Sequence, residues 1–256
     1  MKVYIVPYNL SSESAHQLSN RLGAKLSSGQ KRFIKNKSFI INWGNSDPEI
    51  LDNVLTKQRN IILNKPNSVA LASNKIETFK CFSNYDVPTV EWTTDRDKAT
   101  EWLDENGYVY ARLYSRSSQG KGIQIITIED SMPSASLYTK AITKAHEYRV
   151  HVFKGRILDY TKKRKRTDVE VNLYIKNFEH GWVFCRDNVS LPDKVESAAL
   201  QACRALGLDF CALDILYREK ENRVFVLEAN TAPGLEGTTL DKYYQALKGV
   251  IECHQY

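Results

Sequence analysis

Phe210-Cys-Ala-Leu-Asp-Ile-Leu-Tyr217 and, after a short polar interval, Val224-Phe-Val-Leu-Glu-Ala-Asn-Thr-Ala-Pro-Gly-Leu235 are the stretches whose reading decides the fold. Each is an apolar β run interrupted by a single acid. A hairpin centred near Glu221 puts Asp214 opposite Glu228, and the period of two along a strand puts Asn230 on the face of Glu228. Carboxylates that converge repel each other and are costly to desolvate unless a cation lies between them. Ligands that are all oxygen, with no His or Cys, suit magnesium, which commonly also takes nucleotide phosphates. An acidic pair facing solvent on an edge hairpin has the same spacing, so these three residues alone leave both readings open.

Upstream, strands are predicted from Lys2 to Pro7, from Ser38 to Trp43 (broken at Gly44) and from Asn60 to Leu63. A helix capped by Ser11 or Ser12 runs towards Leu22, and another starts at Asp47-Pro48-Glu49 with proline in its first turn. This alternation predicts a small α/β unit with a parallel sheet. The pattern changes around Asn64 to Ser68. Helices follow from Asn74 to Tyr85 and from Lys98 to Asn106, the second stopped by Gly107. The chain then turns antiparallel, with strands from Tyr108 to Tyr114 and from Ile123 to Ile128 around a turn rich in small residues. From Glu147 to Phe153 the alternation puts Glu147, Arg149 and His151 on one face. A strand from Arg156 to Thr161 leads into the basic cluster Lys162-Lys-Arg-Lys-Arg166. The helix from Pro192 to Leu206 carries an apolar stripe of Val195, Ala198, Ala199, Ala202 and Leu206, and a last helix starts near Leu240.

Composition narrows the function classes. A chain of 256 residues, 42% of them hydrophobic, can bury a sizeable core. Its longest apolar stretches are too short to cross a bilayer and no signal peptide follows the opening strand, so no membrane partner is expected. Five scattered cysteines without CxxC spacing, and five histidines without HExxH, argue for reduced thiols in the cytoplasm and against zinc. The net charge of +6 fits attraction to anions such as nucleotides without singling out nucleic acid.

The run from Val226 to Leu235, with an acid in the preceding strand, closely resembles the C-terminal signature of ATP-grasp enzymes. These include D-alanine–D-alanine ligases and the ligases that add glutamate to ribosomal proteins. The resemblance covers nearly the whole chain and implies an α/β (α+β) ATP-grasp fold. An N-terminal α/β subdomain would span 1–68, a central subdomain with an antiparallel lid 69–142, and a C-terminal α+β subdomain 143–256, with ATP between the last two. It implies that Asp214, Glu228 and Asn230 hold two magnesium ions (manganese being the alternative) that bridge the ATP phosphates. It also implies that Leu227 lies beside the nucleotide and that the Pro233-Gly234 turn presents backbone donors near the substrate. Ser118, Gln119, Gly120, Lys121 and Gly122 fall where the mobile phosphate lid of these proteins lies. Backbone N–H groups of such a turn can wrap phosphate oxygens and Lys121 adds a cation, although a plain hairpin turn is the other reading. A Walker loop would instead require GxxxxGK[ST] leading into a helix.

Further residues follow from the same resemblance. Arg112 stands where these proteins usually carry a phosphate-binding lysine; it keeps the charge and can grip phosphate bidentately. Lys75 resembles their other phosphate-facing lysine, against the simpler reading of a surface lysine. Lys140, Ala141 and Ile142 would frame adenine through their backbone, with Lys140 near the place of the usual acidic side chain. Arg149 resembles the arginine that steadies the substrate carboxylate and its acyl phosphate, offsetting charge on the transferred group. A strand-face salt bridge with Glu147 is the simpler reading. Lys163 and Arg164 are the cluster residues expected to turn inward to the γ-phosphate. The same cluster also reads as a solvated loop, or as a grip on a polyanion such as nucleic acid. Lys176-Asn177 resembles an Arg-Asn pair facing the reacting carboxylate, with Asn177 retained and arginine replaced.

The expected activity is that of an ATP-dependent carboxylate–amine ligase that forms an acyl phosphate and releases ADP and phosphate. The expected partners are a small-molecule or peptide carboxylate and an amine, and a homodimer is left open. Two rivals are an ATP-dependent kinase on the same scaffold and a non-catalytic nucleotide or nucleic-acid binding module that uses residues 162–166. No side chain stands out as a general base. Substrate choice is placed in the N-terminal region, where Trp43-Gly44-Asn45 is suggestive. Size and spacing also resemble short ATP-grasp proteins of tailed bacteriophages, which implies a host cytoplasm.

Overall fold

Every residue of the run Ser38–Trp43 is buried, a pattern that fits a parallel sheet covered on both faces. The computed structural model describes residues 1–28, 34–47, 59–114, 122–172 and 178–254. The chain opens with β1 (Lys2–Pro7), α1 (Glu13–Leu22), β2 (Lys25–Leu26), β3 (Ser38–Trp43) and β4 (Ile61–Leu63). These strands form one parallel sheet in the order β2-β1-β3-β4. The two-residue β2, which follows Gly23 at φ 61°, is too short to show a periodic pattern and was not expected. The helix expected from Asp47-Pro48-Glu49 lies outside the described residues.

The middle of the chain holds α2 (Pro66–Ser73), α3 (Lys75–Asn84), β5 (Trp92–Thr93), α4 (Arg96–Asn106), β6 (Tyr108–Arg112), β7 (Ile123–Thr127) and β8 (Leu137–Lys140). Proline at the first position of α2 starts a helix where the sequence pattern only broke off. Asn74 then ends α2 and caps α3, its side chain accepting from the Ile76 and Glu77 amides. Asp95 caps α4 in the same way and Gly107 closes it at φ 78°. An antiparallel sheet in the order β5-β8-β6-β7 buries Val109, Ala111, Ile126 and Tyr138 against Trp102 and Leu103 of α4.

The remainder comprises β9 (His146–Phe153), β10 (Arg156–Lys165), β11 (Trp182–Cys185), α5 (Asp193–Ala205), β12 (Phe210–Arg218), β13 (Arg223–Asn230) and α6 (Thr238–Cys253). The five strands form one antiparallel sheet in the order β11-β10-β9-β12-β13. β10 runs through Lys165, so most of the basic cluster is strand rather than loop. One face of the sheet carries Tyr148, Val150, Leu213, Ile215 and Val226 onto the Val195, Ala198, Ala199 and Ala202 stripe of α5. The opposite face is polar along its middle and apolar at one end. There Phe153 and Phe210 enter the core of the N-terminal sheet, and Trp43 stacks on Phe210 with ring centroids 5.3 Å apart.

Helix α6 closes that same core with Leu240, Tyr243, Leu247 and Ile251, spaced along one stripe. Each such side chain contributes about 1.5–3 kcal/mol when buried. Among the described residues no helix is long and apolar enough to cross a membrane.

Candidate active site

Adjacent strands of the antiparallel sheet line up Thr161, Arg149, Asp214 and Glu228 in one rung across β10, β9, β12 and β13. Asp214 stands opposite Glu228, the register read from the hairpin. Just beyond, Ile215 pairs with Val226, so Leu227 has no opposite number; this bulge re-aims the chain next to Glu228. The next rung holds Asp159, His151, Ala212 and Asn230. On the other side Lys163 and Glu147 share the face, and Phe184 of β11 sits opposite Lys163.

Each carboxylate of the rung is held by a cation from elsewhere in the chain. Arg149 grips Asp214 with two parallel bonds, Nε to Oδ1 at 2.7 Å and Nη2 to Oδ2 at 2.8 Å. Lys75, 6% exposed at the start of α3, reaches Glu228 Oε2 at 2.5 Å. Asn230 Nδ2 donates to the other oxygen of Glu228 at 3.1 Å. The Lys75 charge holds Glu228 well below the usual carboxylate range. Burial works against the Arg149 charge, but Asp214 outweighs it and the guanidinium is stabilised overall. Burial lowers the pKa of Lys75, and also that of Arg112, which faces Glu228 from β6. Among the described residues the buried Nε of Arg112 has no hydrogen-bond partner.

The salt bridge between Glu147 and Arg149 read from the sequence does not form. Lys163 Nζ takes Glu147 at 2.5 Å, while Arg149 turns across the sheet to Asp214. Residues two apart on a strand are farther from each other than cross-strand neighbours are, so the cross-strand partner wins. Arg164 corrects another expectation. Strand alternation carries it away from Lys163 to the opposite face, where it donates to the Asn188 carbonyl at 3.2 Å. The basic cluster is also less free than its charge suggests. Lys165 lies over Trp182, 5.9 Å from the ring centroid, and Arg166 pairs with Asp168.

One rung away, Asp159 is buried and accepts from Arg186 (2.7 Å), Lys242 (2.7 Å) and Thr239 (2.6 Å). Burial opposes its charge, but these three donors win and hold it at about 2. His151, buried beside it, meets the Tyr243 hydroxyl at 3.2 Å, and burial, reinforced by Arg149, lowers it to about 3. The imidazole is therefore neutral throughout the physiological range.

The backbone that carries this arrangement, a carboxylate rung on one antiparallel sheet with Arg112 of a second facing it and a parallel sheet at one end, recurs in solved structures. PsnB, an ATP-grasp ligase solved with a minimal precursor, superimposes with TM-score 0.70 at 12% identity, covering 99% of each chain. D-alanyl-alanine synthetase A from Vibrio cholerae gives TM-score 0.70 at 14% identity over 100% of this chain and 97% of that one. The macrocyclase MdnC from Microcystis aeruginosa, bound to its precursor peptide MdnA, gives 0.66 at 15% identity over 98% and 99%. The chain has the ATP-grasp fold. Residues 140–252 also match the model of the RimK-like ATP-grasp domain. No match is found among curated protein sequences.

Within the ATP-grasp frame the structure gathers Lys75, Arg112, Arg149, Lys163, Asp214, Glu228 and Asn230 around one face, with Leu227 at its bulge. Lys140, Ala141 and Ile142 lie at the end of β8. The Lys140 amide, expected to serve a nucleotide base, already donates to the Glu91 carbonyl at 2.9 Å, and its side chain turns to Glu105. Gly122, at φ 75°, packs against the Tyr114 ring; Ser118, Gln119, Gly120, Lys121 and Asn177 lie outside the described residues. At the other end of the site, a Cβ on Gly44 would come within 2.7 Å of the Ala232 Cβ, so β3 meets the turn 231–234 at its C-terminal tip. Phe184 is the neighbour that the sequence reading missed. The short apolar run Trp182-Val-Phe-Cys185 between Gly181 and Arg186 is its one local signal, and it is too brief to show a period.

Proposed function

We propose that this chain is an ATP-dependent carboxylate–amine ligase that works through an acyl phosphate. The observation that carries the reading is the rung itself: two carboxylates side by side, one gripped by the buried Lys75 and the other by the partly exposed Arg149, beside an arginine whose buried Nε has no acceptor among the described residues. An orphaned buried donor is costly, and a phosphate oxygen is the acceptor that suits a guanidinium best. ATP with magnesium fits this donor set. Asp214, Glu228 and the amide oxygen of Asn230 would hold the metal. Among the described residues no third His, Cys, Asp or Glu joins them. Two carboxylates are too few for an all-protein magnesium cage, so phosphate oxygens would be needed as further ligands.

Bound there, ATP and its metal ions supply an electrophilic γ-phosphorus and neutralise its charge. The chain's own residues do the rest. Lys75 and Arg112 bind phosphate oxygens, and Arg149 with Lys163 faces the terminal phosphate and orients the reacting carboxylate against it. An oxygen of the substrate carboxylate bonds to the γ-phosphorus as the bond to the β–γ bridging oxygen breaks and ADP leaves. The amine then bonds to the acyl carbon, phosphate departs with the C–O electron pair, and the nitrogen gives up a proton.

The crevice outside the C-terminal ends of β1 and β3, where strand order reverses, is the usual ligand position in an open parallel sheet. Its contact with the turn 231–234 supports a substrate site between Gly44 and Ala232. A peptide carboxylate is one candidate class, since PsnB and MdnC were solved with precursor peptides; a small-molecule acid is the other.

The decisive experiment measures ADP release from ATP and magnesium with panels of carboxylates and amines, and looks for the amide by mass spectrometry. An amide formed by the wild type and lost with Glu228→Gln or Asp214→Asn supports the ligase. A stable phosphorylated product without an amide points to a kinase, and nucleotide affinity indifferent to both substitutions removes the site.

A further inference from the structure

Phe184 is an exposed aromatic residue on the working face, 39% accessible, and it serves no core. The Arg149 guanidinium carbon lies 4.5 Å from its ring centroid and the Lys163 ammonium 5.2 Å. Both cations also have carboxylate partners, Asp214 and Glu147. A carboxylate orients a cation but cancels its charge, whereas a ring orients it through the quadrupole and adds no net negative charge. Register fixes the contact with Lys163, because Phe184 is its direct cross-strand partner. The same device recurs two residues along, where Trp182 stands opposite Lys165.

We propose that Phe184 is a positioning residue that keeps Arg149 and Lys163 aimed at the terminal phosphate while leaving their charge available to it. The inference rests on the ligase reading above, in which Asp214 would serve the metal as well as Arg149, so that the ring would carry more of the positioning of the guanidinium. Phe184 touches no reacting atom and acts only through the two cations. A purely structural role would affect every ligand alike. A positioning role concerns the terminal phosphate alone, so ADP and a triphosphate must respond differently.

The test is calorimetric binding of ADP and of a non-hydrolysable ATP analogue, each with magnesium, to wild type, Phe184→Leu and Phe184→Tyr. Phe184→Leu is expected to weaken the triphosphate analogue about fivefold, the size of one exposed cation–π contact, and ADP less than twofold. Phe184→Tyr, which keeps the ring, restores the wild-type ratio. Equal weakening of both nucleotides, or no change in either, overturns the role of Phe184 and leaves the ligase reading intact. A wild type that binds neither nucleotide overturns both. Phe184→Met carries the same comparison should the leucine variant fail to fold.

Discussion

Replacing Lys75 by methionine tests the charge arrangement on which the site depends. The ammonium is buried, 2.5 Å from Glu228 Oε2, and methionine fills the stem without the charge. Breaking a buried ion pair by removing one partner costs about 3–5 kcal/mol. Here the Glu228 side chain is 29% exposed and retains Asn230 and the nearby Arg112, so the cost falls to about 2–3 kcal/mol. For a chain of this length that is a drop in Tm of roughly 5–10 °C. Differential scanning fluorimetry without nucleotide or metal reads it directly. Glu228→Gln combined with Lys75→Met should cost less than the sum of the two single changes, with a coupling of about 1–3 kcal/mol. Millimolar magnesium alone should raise the Tm of Lys75→Met more than that of the wild type, because only the variant has an uncompensated carboxylate. A wild-type Tm for Lys75→Met, or strict additivity in the double variant, refutes the reasoning.

Three further outcomes are expected. His151, held at about 3 against 6.5 for a free imidazole, stays neutral in the fold while the unfolded chain takes up its proton. Stability is therefore full above about pH 6.5 and falls on acidification by up to about 1.4 kcal/mol per pH unit. Arg149, Asp159, Arg186 and Lys242 are the charged groups facing the ring, and Tyr243 is its hydrogen-bond partner. His151→Gln should flatten the Tm profile between pH 6.5 and 4, and an unchanged slope contradicts the assignment. Gly44→Ala meets both a φ of 80° and the Ala232 Cβ, and should cost about 2–4 kcal/mol. Gly23→Ala, at φ 61° in open space, should cost about 1 kcal/mol; equal Tm losses for the two would mean that the Gly44 contact is absent. Finally, Lys163→Ala should weaken binding of an ATP analogue severalfold while Arg164→Ala leaves it within about twofold, a contrast of one charge-assisted contact, and fluorescence titration separates them.

Much of the site was legible because strand chemistry is local. One acid in each of two apolar runs, joined by a short polar turn, fixes both the hairpin and the partner of Asp214. The fold class followed from the same segment and its neighbours. What stayed hidden depends on non-local pairing. Lys75 meets Glu228 across 153 residues of sequence, and no spacing rule reaches that far. The rival reading of Arg149, a salt bridge with Glu147, rests on their alternation along one strand, yet the next strand offers a nearer acid. β5 and β11 span two and four residues, too short for periodicity to register. The basic run looked like a solvated loop because its charges outweigh its β pattern. Rings and a carboxylate on adjacent strands make it a strand, and alternation then sends Lys163 and Arg164 to opposite faces.

Helix α6 seals a sheet whose first strand begins at residue 2. During synthesis Ile5, Phe39 and Trp43 emerge early with Ala15 and Leu18, whereas Phe153, Phe210 and finally the α6 side chains of residues 240–251 complete their cover much later. At ordinary ribosomal speeds that interval is roughly 10–40 s, long enough for bare β surface to find wrong partners. The core of the N-terminal sheet is thus shared with segments far along the chain, and its packing is completed late. Its last apolar cover comes from α6, about two hundred residues further along the chain.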